Sequence, residues 1–237
     1  MKRIGVSVAM ERELRMLEGS LSLKPEAQSG GFVFHRGQYD AGLEVVVAQS
    51  GIGKVNSALC VASMIEHYGV DAIVSTGVCG TLCADGSICQ KDIICATSVR
   101  YHDVYCGPEN LSGQVQGEPL EYSSLPGAQL AALRERIAAV YGYGVKLAPI
   151  ASGDWFVDTV EKARSIAEGF PGAMGVDMES CSIAQTCRRY GVPFVSVRMV
   201  SDAPLCAGAV SYNDFWDTAP TGLGTVLKAI LNYFKEI

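Results

Sequence analysis

The chain has 237 residues, of which 49% are hydrophobic and only 19% charged, a composition that excludes a disordered chain and suffices for a continuous core. A net charge of −6, without a basic block or stripe, argues against nucleic acid or an acidic membrane surface as the main partner. No stretch is apolar for long enough to span a bilayer.

In chain order, Met1-Lys2-Arg3 followed by Ile4 to Met10 imitates the start of a signal peptide. The apolar run is short, and Glu11-Arg12-Glu13 ends it without a cleavage site, so it reads as a first buried strand in a protein expected in the cytoplasm. The spacing predicts strands over Arg3–Ala9, Leu43–Gln49, Ala72–Gly77, Asp92–Ser98, Val145–Ile150, Gly175–Met178 and Pro193–Val200. It predicts helices over Glu11–Leu17, Lys54–Tyr68, Gly127–Tyr141, Thr159–Glu168, Ser182–Tyr190 and Gly222–Phe234. Short buried strands alternating with helices predict an α/β fold, and no linker divides residues 1–237, so one domain is expected. Residues Cys106 to Pro126 are polar and turn-rich and read as a long surface loop, either a lid or an interface segment.

Several tempting constellations fail. Gly51-Ile52-Gly53-Lys54 lacks Walker A spacing and carries Val55 where a Ser or Thr metal ligand belongs, so a tight strand-to-helix turn explains it equally well. His35, His67 and His102 are far apart, and Cys79/Cys83 and Cys181/Cys187 do not have the spacing of common zinc sites, so no metal is expected. The nine cysteines read as reduced core thiols. No Gly-x-Ser-x-Gly elbow is present, which disfavours an α/β-hydrolase.

The informative residues are charges at predicted strand ends, where open α/β sheets bind ligands. Glu179 follows Gly175-Val176-Asp177-Met178, and Asp202 follows Val197-Arg198-Met199-Val200-Ser201. One such carboxylate suits holding a polar substrate and the other suits moving a proton. Each has a plainer reading: Glu13 and Glu179 as acidic residues at helix starts, Asp202 as a turn or cap residue. Arg198, inside an apolar strand, needs a counter-charge, with Glu179 and Asp202 as candidates.

The ordered set Ala9-Met10-Glu11-Arg12-Glu13, Ser50-Gly51-Ile52-Gly53-Lys54-Val55-Asn56, Thr76-Gly77-Val78-Cys79-Gly80, Tyr101-His102-Asp103-Val104, Ser152-Gly153-Asp154-Trp155-Phe156-Val157, Val176-Asp177-Met178-Glu179 and Arg198-Met199-Val200-Ser201-Asp202 resembles the nucleoside phosphorylase and nucleosidase superfamily. Within it the chain is most similar to the 5′-methylthioadenosine/S-adenosylhomocysteine nucleosidases. The resemblance implies a three-layer α/β sandwich with a central mixed β-sheet flanked by helices, dimeric, cleaving the N-glycosidic bond of a purine nucleoside without a cofactor. Departure of the purine leaves an oxocarbenium-like sugar.

By that resemblance Glu13 orients and deprotonates water, Asp202 protonates the purine with support from Ser201, and Arg198 orders the carboxylates and the water. Glu179 accepts from ribose hydroxyls, Met178 packs near the ribose, Phe156 stacks on the base, backbone groups of Val157 read its edge, and Tyr212 serves as an aromatic lid. Met10, Ile52 and Gly80 complete the implied substrate site. The chain departs from the family where a small hydroxyl residue gives way to Val78, where an acidic residue gives way to Tyr105, and through Cys106 to Pro119. Three activities follow in order of weight: hydrolysis of a 5′-thio purine nucleoside, phosphorolysis of a purine nucleoside, and nucleoside binding without turnover. A phosphorylase needs an arginine clamp; near the expected site stand Arg12, Arg198 and Arg100.

Overall fold

The computed structural model describes residues 1–18, 21–206, 212–218 and 222–237. The strands are β1 (Lys2–Val8), β2 (Lys24–Ser29), β3 (Phe32–Asp40), β4 (Leu43–Gln49), β5 (Ala72–Thr81), β6 (Ile93–Tyr101), β7 (Tyr122–Ser123), β8 (Val145–Ser152), β9 (Gly175–Asp177) and β10 (Phe194–Asp202). The helices are α1 (Glu11–Glu18), α2 (Lys54–Tyr68), α3 (Gly127–Ala138), α4 (Val160–Gly169), α5 (Ser180–Tyr190), α6 (Tyr212–Thr218) and α7 (Gly222–Glu236).

All ten strands join one mixed sheet. Its parallel centre runs β4–β1–β5–β10, and every residue of β5 is buried, as a strand covered on both faces must be. From β5 the pairing β10, β6, β8, β9 returns to β5, so this half of the sheet curls into a closed circuit. Alternation along the strands divides the core between the two faces. Ile4, Val6, Val45, Val47, Val74, Val195 and Val197 pack with residues of α1, α3 and α7 on one side. Val46, Ala48, Ile73, Ile94 and Val200 pack with residues of α2 and α5 on the other. The expected three layers are present, and α4 covers β8 and β9.

The structure adds what the hydrophobic pattern misses. Residues 24–40, assigned to no element from sequence, form the antiparallel pair β2–β3 that extends the sheet beyond β4. Helix α6 is also new, whereas Ser211 just before it lies outside the described residues. The predicted strand Gly175–Met178 stops at Asp177, and α5 starts at Ser180 rather than Ser182, so Glu179 is the N-cap of α5. The expected loop 106–126 is interrupted by β7, which pairs with β6.

All nine cysteines are free, but only Cys60, Cys79, Cys95, Cys181 and Cys187 are buried core thiols. Burial pushes the Cys60, Cys95 and Cys187 thiols up to about 12. Cys83, Cys106 and Cys206 are half-buried and Cys89 is exposed, because these four lie on connections rather than in the sheet or helix core. No helix of the described residues is long and apolar enough to cross a membrane.

Candidate active site

The carboxyl ends of β1, β4, β5, β8, β9 and β10 converge on one pocket of ≈ 250 Å³, small-molecule in scale. Its lining includes Met10, Glu13, Ile52, Gly80, Phe156, Val157, Met178, Glu179, Ser201, Asp202 and Tyr212. Of the residues predicted from sequence, only Arg198 is outside the lining: its side chain is fully buried behind the wall.

Glu13 lies in the first turn of α1, yet its carboxylate turns inward and is 1% exposed. Oε2 accepts from the backbone N–H of Ala9 and of Met10, both at 2.9 Å, and Oε1 accepts from that of Val78 at 2.8 Å. The residue therefore ties its own helix start to β5. Gly77 makes this approach possible: at φ 145° it has no Cβ, which would sit 2.7 Å from Glu13 Cδ and 2.9 Å from an Arg198 terminal nitrogen. Burial pushes the Glu13 carboxyl above the usual range, with Arg198 and the three N–H groups pulling the other way. Val78 contributes its backbone N–H and an apolar side chain to the wall.

Gly51-Ile52-Gly53 is a tight strand-to-helix turn whose Gly53 caps α2. The turn reaches the site through one bond: the Gly53 N–H donates to Glu179 Oε1 at 3.0 Å. Lys54 is not a phosphate ligand, since its ammonium pairs with Asp103 at 2.7 Å and with Asp154 at 3.7 Å. Desolvation raises the Glu179 pKa to about 7, helped by Asp177 and Glu13 and opposed by Arg198 and Gly53.

Asp202 ends β10. Gly80 on the neighbouring strand leaves room for it, because a Cβ there would lie 3.1 Å from Asp202 Oδ2. Burial raises the Asp202 pKa, against a hydrogen bond with Ser201. Ser201 Oγ lies 2.6 Å from Asp202 Oδ1 and 3.1 Å from the Cys79 carbonyl oxygen. A hydroxyl has one proton to give. It donates to Asp202 when that group is ionised; when Asp202 is protonated it can turn to Cys79 and accept from Asp202. Both states of the acid are accommodated.

Arg198 has one of its two expected counter-charges, Glu179, and a closer one that the sequence reading did not name, Asp177. Its Nε pairs with Asp177 Oδ2 at 2.9 Å, while a terminal nitrogen reaches Glu179 only at 3.8 Å. Asp202 is not its partner, because four residues along one strand put the two about 13 Å apart at the backbone. Ser75 Oγ and the Thr76 carbonyl accept from its other nitrogens. Asp177, the residue that sequence reasoning missed, also accepts from Ser180 N at 3.2 Å and from the Ser180 hydroxyl. Its signal was present: in an extended chain residues 177 and 179 fall on one face.

An aromatic wall closes the pocket opposite the carboxylates. Phe156 and Tyr212 meet edge to face at 5.4 Å, Tyr212 continues to Trp216 at 5.9 Å, and the Tyr212 hydroxyl points at Met10 Sδ at 3.3 Å. Trp155, also in the lining and not singled out from sequence, rests against His102 at 5.5 Å. Among the described residues no group of three or more His, Cys, Asp or Glu is placed to hold a metal ion.

The described lining carries four carboxylates and no Lys, Arg or His. The three arginines near the site all stand outside the described lining: Arg12 lies over Trp216 at 5.6 Å, Arg100 donates to the Ser112 carbonyl and covers Phe170 at 4.8 Å, and Arg198 is buried. This pocket suits a neutral, flat ligand bearing hydroxyls.

Comparison with known proteins agrees. The family model of the phosphorylase superfamily matches residues 3–235. A curated 5′-methylthioadenosine/S-adenosylhomocysteine nucleosidase from Staphylococcus haemolyticus is 34% identical over 229 residues, covering 96% of this chain and 98% of the relative. The solved nucleosidase of the same name from Neisseria meningitidis, in complex with methylthio-immucillin-A, superimposes with a TM-score of 0.87 at 31% identity, covering 100% of each chain. A futalosine hydrolase of Helicobacter pylori gives 0.86 at 29% identity, covering 100% of this chain and 98% of that one. The chain belongs to the phosphorylase superfamily, in the branch of the 5′-methylthioadenosine/S-adenosylhomocysteine nucleosidases, and is an N-glycosidase.

Proposed function

We propose that this N-glycosidase hydrolyses 5′-methylthioadenosine and S-adenosylhomocysteine to adenine and the free 5-thio sugar, with water and not phosphate as the nucleophile. The observation that carries this is the make-up of the described lining: four carboxyl side chains and no Lys, Arg or His, so that it holds no cationic clamp for a phosphate dianion. In this reading residues 1–237 act as one domain in the cytoplasm.

Asp202, its pKa raised by burial, gives its proton to the purine as the glycosidic bond lengthens. Glu179, held by Gly53, accepts from the ribose hydroxyls, with Met178 beside the sugar. Glu13 orients a water at the sugar carbon and takes its proton. Phe156 stacks on the base, backbone groups of Val157 read its edge, and Tyr212 closes over both.

The enzyme works as a homodimer. Ile52 at 50%, Val55 at 70% and Leu59 at 55% exposure form an apolar strip over the turn before α2 and its first turns, beside the pocket. A second copy burying that strip would sit next to the part of the pocket that receives the 5′ substituent. Sedimentation equilibrium tests this, with a dimer expected and a monomer at micromolar concentration contradicting it.

Substrate class is tested by measuring adenine release from 5′-methylthioadenosine, S-adenosylhomocysteine and adenosine. The thio nucleosides are expected to give the higher kcat/KM, and a preference for adenosine or inosine would overturn the assignment.

A further inference from the structure

We propose that Asp177 is a positioning residue: it takes the close ion pair of the Arg198 guanidinium, so that the nearby Glu13 and Glu179 do not have to balance that charge and keep lone pairs for the water and the ribose hydroxyls. The proposal rests on the hydrolytic reading of the site.

The geometry is specific. Arg198 is fully buried, and its 2.9 Å ion pair is with Asp177, while the contact with Glu179 is 3.8 Å. Glu13 faces Arg198 across Gly77 and accepts three backbone N–H groups, two on Oε2 and one on Oε1, which leaves an acceptor site open on Oε1. Asp177 is itself fixed by Ser180, whose Oγ continues to Ser196 Oγ at 2.7 Å. The titratable groups around this pair are Glu13 of α1, Cys79 of β5 and the α5 N-cap Glu179, which face Arg198, and Cys181 of α5 and His102 after β6, which face Asp177 and have Lys54 as their cation. A buried guanidinium must be balanced by a carboxylate. If Asp177 did not balance it, Glu13 or Glu179 would, and the one so used would lose its basicity and its free lone pairs.

The test is a carboxyl-carbon NMR titration of Glu13 and Glu179 in the wild type and in Asp177→Asn, alongside the pH profile of kcat/KM. An unbalanced guanidinium favours the ionised form of both, so their midpoints are expected to fall by about 1–3 pH units. Activity requires ionised Glu13 and is lost as pH drops through its pKa, so the acid limb is expected to move to lower pH by the same amount. The kcat is expected to fall more than KM changes. A residue that only supported the fold would lower activity without moving the limb.

Midpoints that stay at their wild-type values overturn the proposal whether or not the protein turns over. A wild type that releases no adenine sinks the hydrolytic reading alone, because the titration still decides the role of Asp177. Should Asp177→Asn fail to fold, Asp177→Glu keeps the charge and moves it by one methylene. Its midpoints are expected at wild-type values with a lowered kcat, and downward-shifted midpoints there would contradict the role assigned to the charge.

Discussion

The backbone N–H of Val78 donates to Glu13 Oε1 at 2.8 Å, and this single bond couples the first helix to the central strand at the floor of the pocket. It exists because residue 77 has no side chain. Gly77→Ala puts a methyl group 2.7 Å from Glu13 Cδ and 2.9 Å from an Arg198 nitrogen, at a φ of 145°. Strain of this kind costs about 1–3 kcal/mol. The variant is expected to have a lower Tm and a kcat/KM reduced at least tenfold, about 1.4 kcal/mol of transition-state stabilisation. Thermal unfolding with steady-state assay checks both; wild-type values would mean that Glu13 can be held without this contact.

Glu13→Gln removes the base and also misfits its cradle. All three backbone partners are donors, so an amide NH₂ must face at least one of them. Loss of a general base predicts a kcat lower by about 10²–10⁴-fold. The mispaired donor adds a stability cost of about 1–3 kcal/mol. A stable, fully active variant would place water activation elsewhere.

Asp202→Asn keeps size and one hydrogen bond with Ser201 while removing the transferable proton. Turnover is expected to fall by about 10²–10⁴-fold, whereas the dissociation constant of an intact thio nucleoside, read by calorimetry, is expected to stay near its wild-type value. Unchanged turnover would remove Asp202 from the chemistry.

Stability should carry the signature of Glu179. Its folded pKa of about 7 lies above the ordinary 4.5, so its contribution is fully present below about pH 4.5 and is lost as pH rises through 7. That window corresponds to a few kcal/mol, on the order of 3 at 1.36 kcal/mol per pH unit. The ligand-free wild type is therefore expected to lose more Tm between pH 5 and pH 8 than Glu179→Gln does. Parallel pH–Tm curves for the two proteins would show that Glu179 does not titrate in this range.

Much of this was legible in the sequence, because the parallel centre of the sheet is written as uninterrupted apolar runs and the site residues stand where those runs end. Glu179 and Asp202 were found that way and Glu13 through the family resemblance, and all three line the pocket. The β2–β3 pair was not, since Lys24–Ser29 and Phe32–Asp40 lie at the sheet edge and mix polar with apolar residues. Phe34 alone among the β3 residues is buried. Of the two partners expected for Arg198, Glu179 is present at 3.8 Å and Asp202 is not, and the closer partner, Asp177 at 2.9 Å, was not named because nothing in the apolar pattern separates residue 177 from residue 179 as a counter-charge. Trp155 escaped because a solvent-facing indole beside Phe156 carries no periodic signal; only folding of the turn after β8 brings it to the pocket.

The most direct test of the account is a turnover of 5′-methylthioadenosine in ¹⁸O-labelled water, with and without phosphate, followed by mass spectrometry of the sugar. The described pocket lining, with four carboxyl groups and no Lys, Arg or His, predicts free 5-methylthioribose carrying one ¹⁸O, formed at the same rate in both buffers, with adenine as the other product. A sugar 1-phosphate, or adenine release that requires phosphate, would contradict hydrolysis.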